Sequence, residues 1–116
     1  MTRRIDFRAF DTQKNRMTSL GYDIDGNGKL CISPDIVLMQ FTGLSDKNGV
    51  DIYEGDIIYS KWHGVKSVII FLEKHMCFCG DSKLERPNPY IFFQSIDTPT
   101  IEVIGNIYEN PNLIKS

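Results

Sequence analysis

The sequence predicts a mainly β protein, with a small SH3-like barrel or meander core and an N-terminal β extension. Three observations predict this class. Apolar and polar residues alternate along short segments, as they do in half-buried strands. Turn-forming residues recur between these segments. No stretch keeps a helical apolar period beyond about two turns. Small antiparallel barrels have all three features.

The composition is that of an ordinary globular domain. The chain has 116 residues, of which 41% are hydrophobic, and its formal net charge is −2. A fold of this length buries roughly two-thirds of the surface that its unfolded chain exposes, so it needs neither disulfides nor a structural metal. We therefore predict one domain over residues 1–116. The pI of 5.6 excludes a strongly basic surface, and with it nucleic-acid binding driven by overall charge.

The sequence indicates a cytoplasmic protein. No apolar run reaches the roughly 18 residues of a membrane span, and the first residues alternate in charge where a signal peptide needs an apolar stretch. The three cysteines, Cys31, Cys77 and Cys79, form an odd set, so nothing indicates an oxidising compartment. We expect a soluble protein with reduced thiols and no contact with a membrane.

The first predicted strand covers residues 4–11. Its two faces differ in polarity: Ile5, Phe7 and Ala9 are predicted to point inward, and Arg4, Asp6 and Arg8 to form a solvated face. The polar segment 12–16 suits a turn.

Further turns and short strands are predicted up to residue 45. The segment Asp25-Gly26-Asn27-Gly28 favours a reversal, and residues 30–32 form a short returning strand. Residues 36–42 are β-branched and aromatic, which favours an extended segment. A short helix capped near Ser33 is the alternative.

Two closely spaced turns predict a compact meander in the middle of the chain. Asn48-Gly49 favours a tight hairpin, and Glu54-Gly55-Asp56 marks a second reversal. The strands predicted after these turns are 57–62, 68–72, 90–94 and 101–108. Residues 68–72 are apolar on both faces, so this strand is expected at the centre of the sheet. Gly105 predicts a bulge, and residues 81–89 form the longest loop.

A calcium loop is considered for residues 23–34. Asp23, Asp25 and Asn27, followed by Gly28, match the first half of such a loop, but Pro34 stands where a bidentate glutamate should close the site. A plain turn selects the same residues without an ion, and we prefer that interpretation.

A zinc site is considered for His75, Cys77 and Cys79. Cysteines two apart on a strand are separated by roughly 6.5 Å, which is too far for two thiolates of one tetrahedral zinc site. We interpret Met76 and Phe78 as core residues and the thiols as small fillers. No metal and no cofactor is predicted.

No catalytic residue is predicted. Glu54 and Asp56 flank a glycine in a turn, where carboxylates are usually solvated, and acid–base catalysis would need one of them in an apolar pocket. The two histidines, His63 and His75, have no nucleophile whose position the sequence reveals. An unrecognised enzyme with Glu54, Asp56 or His75 in such a pocket is our third hypothesis.

The first 16 residues are locally basic. They carry five cations, namely Arg3, Arg4, Arg8, Lys14 and Arg16, against the two acids Asp6 and Asp11. A basic strand with aromatic neighbours can contact phosphates. The alternative interpretation is a solvated face whose charges protect a sheet edge.

Three segments resemble the YopX family of phage and prophage proteins. The first is Ile5-Asp6-Phe7-Arg8-Ala9-Phe10-Asp11, followed by Met17. The second, residues 39–58, contains Asp46-Lys47-Asn48-Gly49-Val50-Asp51-Ile52-Tyr53-Glu54-Gly55-Asp56. The third is Glu102-Val103-Ile104-Gly105-Asn106-Ile107-Tyr108-Glu109-Asn110-Pro111.

The resemblance implies one YopX-like domain over residues 1–116, with a barrel-like β core, made by a phage or prophage and acting in the host cytoplasm. It transfers no catalytic or cofactor residue. Our leading hypothesis is a non-catalytic module that binds copies of itself, or a phage or host protein, through strand edges and aromatics such as Trp62. The alternative is a nucleic-acid-binding protein that uses Arg3, Arg4 and Arg8.

Overall fold

Short antiparallel strands form the protein, as the alternating sequence predicts. The computed structural model describes residues 6–18, 23–24, 30–31, 35–83, 89–93 and 99–114, and within these ranges it contains eleven strands and no α-helix. The strands are β1 (Phe7–Asp11), β2 (Arg16–Thr18), β3 (Asp23–Ile24), β4 (Leu30–Cys31), β5 (Ile36–Ser45), β6 (Asp51–Tyr53), β7 (Asp56–Ser60), β8 (Val65–Leu72), β9 (Cys77–Asp81), β10 (Tyr90–Ile91) and β11 (Ile101–Asn106). Short 3₁₀ turns cover Glu73–His75 and Pro111–Leu113. The mainly β prediction is confirmed.

The strands form two main sheets and a small ribbon. One sheet has the order β2-β1-β5-β6, the other has the order β10-β9-β8-β7-β11, and β3 pairs with β4. The five-stranded sheet curls into a half-barrel, and four of its strands follow each other as a meander. β8 lies at its centre, as the two-sided apolar pattern predicts. The inner face of this sheet carries Ile58, Ile69 and Ile101, which pack with Ile52 from the other sheet to form the core.

The β5–β6 hairpin begins the connection between the two sheets. The N–H of Gly49 donates to the carbonyl of Asp46 at 3.0 Å, and the N–H of Asp46 donates to the carbonyl of Val50 at 2.8 Å. These bonds close a three-residue loop, in which Gly49 adopts a positive φ of 80° that favours glycine. The predicted Asn48-Gly49 turn is therefore a hairpin with its glycine in the last loop position.

The Asp46 side chain ties this hairpin to β11. Its carboxylate is buried, with 6% of the residue exposed. It accepts N–H bonds from Asn48 at 2.8 Å and Val50 at 2.9 Å inside the loop, and from Val103 of β11 at 2.9 Å. The N–H of Lys47 also donates to the carbonyl of Ile101 at 3.0 Å. One carboxylate thus fixes the loop and joins the sheets.

The second predicted reversal forms a corner between the sheets. Gly55 has a φ of +87°, and a Cβ atom there would lie 3.0 Å from the sulfur of Met39. Its N–H donates to Ile69, and its carbonyl accepts from Ile107. Only glycine meets both the backbone and the space requirements of this corner.

The face assignment of the first strand is confirmed for Ala9, which is buried, but was wrong for Phe7 and Arg8. Phe7 is 42% exposed, whereas Phe10 is buried. Arg8 does not lie on a solvated face, since its guanidinium pairs with Asp56, which is 1% exposed. A buried carboxylate needs a hydrogen-bonded counter-charge, and this requirement overrides simple alternation.

Other predicted elements vary in outcome. Residues 36–42 are extended, within β5, and not helical. β4 is the short returning strand, and the register of β11 against β7 shifts between Val103 and Gly105, which confirms the bulge. The reversal at residues 25–28, the helix cap at Ser33 and most of the 81–89 loop lie outside the described residues.

We expect replacement of Asp46 by alanine to destabilise the protein by about 3 kcal/mol, because three N–H groups lose a charged acceptor. Urea unfolding near neutral pH measures this loss. An effect below about 0.5 kcal/mol, the usual range for a neutral surface change, would show that the carboxylate does not join the sheets.

The effect of Asp46 should depend on pH. Burial acts to raise its pKa, but the N–H bonds from Val103, Val50 and Asn48, aided by Lys47, outweigh burial and lower the pKa below 3.8. A carboxylate with a lowered folded-state pKa stabilises the fold above its unfolded pKa, and this stabilisation is lost as pH falls through the folded value. We therefore expect the stability difference between wild type and Asp46→Asn to shrink below pH 3.8. A difference that stays constant with pH would contradict this.

The Arg8–Asp56 pair should show non-additive energetics. Arg8→Met leaves a buried carboxylate without its counter-charge and should cost about 3 kcal/mol. Adding Asp56→Leu should recover part of this loss, because the buried charge is then gone. A double-mutant cycle by urea unfolding measures the coupling. Additive single-mutant effects would mean that the pair carries no interaction.

Candidate functional site

An apolar groove lies between the β5–β6 hairpin and the curled sheet. Its volume is about 340 Å³. The hairpin contributes one wall, made of Thr42, Leu44 and Ile52. The opposite wall comes from the curled sheet and its flanks: Ile69, Phe71, Met76, Cys77, Phe78, Cys79, Phe93 and Ile101. Within the described residues no charged side chain lines the groove. Such a surface favours apolar contacts over acid–base chemistry.

Met76 protrudes at the mouth of the groove. It follows the 3₁₀ turn Glu73–His75 and adopts the left-handed conformation, with φ 51° and ψ 43°. Its N–H donates to the carbonyl of Glu73 at 3.1 Å, so the backbone is fixed. The residue is 82% exposed. The prediction that Met76 belongs to the core was wrong, because the strand alternation stops at Leu72 and Met76 lies in the turn before β9.

Aromatic side chains line the groove together with this methionine or lie in the neighbouring turn. Phe71 and Phe78 are cross-strand partners, and their rings meet edge to face with centroids 5.2 Å apart. The ring of His75 meets Phe92 in the same manner at 5.3 Å. Phe71 and Phe92 are both exposed. Phe71 and Met76 are the exposed residues of the groove lining, and we call them the rim of the groove.

The floor of the groove depends on a close approach at Gly80. A Cβ atom at this position would lie 2.8 Å from the ring of Phe93 and 2.9 Å from Ser67. Any side chain would therefore push the Phe93 ring away from β9. The hydroxyl oxygen of Ser67 is buried and makes no hydrogen bond to the described residues.

The thiols of the groove are poorly suited to catalysis or metal binding. Cys79 is buried, and burial, followed by the neighbouring Cys77 and Asp81, raises the pKa of its thiol to about 11. It is thus protonated at neutral pH, whereas metal ligation and nucleophilic attack need the thiolate. Cys77 is partly buried. Both occupy β9, where the prediction that Cys79 is a small core filler holds.

The residues considered above as metal ligands do not form a site among the described residues. His75, Cys77 and Cys79 lie on consecutive elements, but no group of three His, Cys, Asp or Glu side chains within the described ranges could hold an ion. Of the calcium-loop residues, Asp25 and Asn27 lie outside the described residues.

The carboxylates of the second reversal lie away from the groove. Asp56 is buried, contrary to the solvated interpretation, because it accepts the N–H of Tyr53 at 2.8 Å and pairs with Arg8. Burial raises the pKa of Asp56, and these two partners offset part of that rise. Both carboxylate oxygens of Asp56 therefore have partners within the fold. Glu54 is half-buried beside Tyr108. The pKa of the Tyr108 hydroxyl is raised, mainly by burial and to a lesser extent by the charge of Glu54.

Ser60 and His63 form a contact that the sequence did not predict. The Ser60 hydroxyl lies 2.8 Å from His63 Nδ1 and also accepts the His63 N–H at 3.2 Å. Ser60 is 1% exposed, so a substrate has no access to its oxygen. The pair fixes the turn between β7 and β8, and the Ser-x-x-His spacing was its only signal in the sequence.

The remaining predicted site residues lie elsewhere. Trp62 is 81% exposed at the β7–β8 turn. Arg8 pairs with Asp56, and Arg3 and Arg4 lie outside the described residues. No helix within the described residues is long and apolar enough to cross a membrane.

Solved structures share this fold. Protein EF1440 from Enterococcus faecalis is 28% identical, with a TM-score of 0.67, and the match covers 98% of this chain and 100% of that one. Protein yopX from Bacillus subtilis is 22% identical, with a TM-score of 0.53 over 94% of this chain and 97% of that one. This second similarity concerns the fold alone. No curated protein matches the sequence.

The family model of the YopX protein matches residues 21–115. This range contains both walls of the groove, the Asp46 loop and the Gly55 corner. The segment that most resembled the family in the sequence, residues 39–58, supplies the hairpin wall. The chain therefore belongs to the YopX family.

Proposed function

We propose that this protein is a non-catalytic self-assembly module, in which the groove and its rim bind a second copy of the chain. We further propose that it is an accessory protein of a phage or prophage and acts in the cytoplasm of the bacterial host. The observation that carries the self-assembly proposal is Met76, an exposed apolar residue held in a left-handed backbone conformation beside an apolar groove.

Folding alone does not favour methionine at this position. The left-handed conformation costs a residue with a Cβ atom about 1 kcal/mol, and glycine adopts it freely. Exposing a large apolar side chain adds nothing to the core. A strained backbone that presents an apolar side chain is typical of a binding site.

The shape of the surface favours a second copy as the partner. Met76 protrudes and the groove lies next to it, so one surface offers both a knob and a hole. A two-fold dimer requires such self-complementarity, because the same patch meets itself.

The charge of the surface agrees with this partner. The groove and rim carry no Asp, Glu, Lys or Arg side chain among the described residues. The groove itself therefore brings no charges together when two copies meet, and interface centres are generally depleted of charge. The exposed charges next to Met76 in the turn, Glu73 and Lys74, have opposite signs.

Nucleic-acid binding through the N-terminal arginines gains no support from Arg8. Its guanidinium pairs with Asp56 and lies over the Tyr53 ring, 4.9 Å from the ring centroid.

Substitutions at Met76 should weaken self-association without weakening the fold. We expect Met76→Asp to raise the dissociation constant roughly ten-fold or more, since it places a charge at the centre of the interface. Met76→Gly should also weaken association and should keep or raise thermal stability, by up to about 1 kcal/mol, since glycine relieves the backbone strain. Analytical ultracentrifugation over a range of concentrations and thermal unfolding measure the two effects.

Trp62→Asp provides the matched control. Trp62 and Met76 are equally exposed, but they lie at opposite ends of β8, roughly 25 Å apart for a strand of eight residues. We expect Trp62→Asp to leave association unchanged. A wild-type protein that stays monomeric at all concentrations, or association that is lost with Trp62→Asp and retained with Met76→Asp, would disprove the proposed surface.

A further inference from the structure

Two methionines of the described residues differ strongly in their exposure to solvent. Met76 is 82% exposed at the groove mouth, whereas Met39 is 1% exposed beneath the Gly55 corner. Oxidants reach a thioether only from solvent, and the reaction turns a flexible apolar side chain into a polar one. The protein therefore carries one methionine open to oxidation at its candidate interface and one protected in its core.

We propose that the thioether of Met76 is an oxidation site, and that its conversion to the sulfoxide by a hydroperoxide releases self-association. The regulatory half of this inference rests on the proposed function, whereas the site of oxidation does not.

The chemistry is a two-electron oxygen transfer. A sulfur lone pair of Met76 attacks the terminal oxygen of the hydroperoxide, and the O–O bond breaks as the S–O bond forms. The departing oxygen takes up the proton and leaves as water or an alcohol. The sulfur is oxidised by two electrons and the peroxide is reduced by two.

The sulfoxide oxygen would find few partners in the groove. It is a strong hydrogen-bond acceptor, and the described lining offers only the Thr42 hydroxyl and the two thiols as side-chain donors. The Thr42 hydroxyl already donates to the Ile52 carbonyl at 2.8 Å. Burying an unpaired acceptor against another copy is unfavourable, so the oxidised surface should prefer solvent.

The adjacent thiols compete poorly for the oxidant. Oxidation of cysteine proceeds through the thiolate. Burial keeps Cys79 protonated at neutral pH, and Cys77 is partly buried on the same strand. Met76 is the more accessible sulfur.

Peptide mapping of the folded protein after treatment with hydrogen peroxide tests the site. We expect one added oxygen on Met76 at a rate about ten times that of Met39, and similar rates for both in urea-unfolded protein. Equal rates in the folded protein would overturn the assignment, whatever the oligomeric state.

Ultracentrifugation of the same samples tests the switch. We expect oxidised wild type to dissociate with a dissociation constant roughly ten-fold higher than that of untreated protein. Met76→Leu keeps an apolar side chain of similar size without sulfur. This variant should associate like wild type, and peroxide treatment should not change its dissociation constant. If Met76→Leu loses association on treatment, another group is responsible and the proposal fails.

Reversal separates methionine from cysteine chemistry. Methionine sulfoxide reductases should restore association, whereas a small thiol reductant alone should not, since it reverses cysteine oxidation but leaves the sulfoxide intact. Restoration by the thiol alone would overturn the proposal. Selective oxidation of Met76 in a protein that never associates would instead preserve the site and refute the proposed function.

Discussion

The groove exists because the Asp46 carboxylate holds the β5–β6 hairpin against β11. Two of its hydrogen bonds close the loop and the third reaches Val103 across the sheets. The acceptor is an ionised carboxylate, so these bonds are stronger than hydrogen bonds between neutral groups. Leu44 and Ile52 consequently face the inner side of the curled sheet at a fixed distance, and the space left between them is the groove.

A second polar joint holds the N-terminal sheet in place. Arg8 reaches from β1 to Asp56 at the start of β7, and its guanidinium also lies over the Tyr53 ring. Phe10 stacks on Tyr108 at 5.1 Å beside this pair. The two sheets are thus joined at two places. One is the Arg8–Asp56 ion pair with its aromatic neighbours, and the other is the Asp46 carboxylate, which accepts backbone N–H bonds. Both joints use a buried aspartate, and neither aspartate lines the groove.

Local turns and the bulge could be predicted from the sequence, whereas contacts between residues far apart in the chain could not. The turns at Asn48-Gly49 and Glu54-Gly55 and the bulge at Gly105 follow from local backbone preferences, and all three occur. Alternation alone cannot tell which charged residue of a strand has a partner 48 positions away, so Arg8 was assigned to solvent. Met76 was predicted in the core together with Phe78 for a related reason: alternation places residues two apart on one face, but β9 begins only at Cys77 and Met76 lies in the turn before it. The groove has no sequence pattern of its own, because its walls come from segments far apart in the chain.

The shortness of the outer strand β10 limits how the protein can assemble. β10 pairs with β9 over only Tyr90 and Ile91. The opposite margin of that sheet, β11, is covered by the β5–β6 loop, because the N–H of Lys47 donates to the carbonyl of Ile101 and the N–H of Val103 donates to the Asp46 carboxylate. Neither margin offers a long ladder for another chain to extend. In the proposed assembly, copies that meet through the rim would therefore form a finite pair, and neither margin of this sheet would template open-ended fibres.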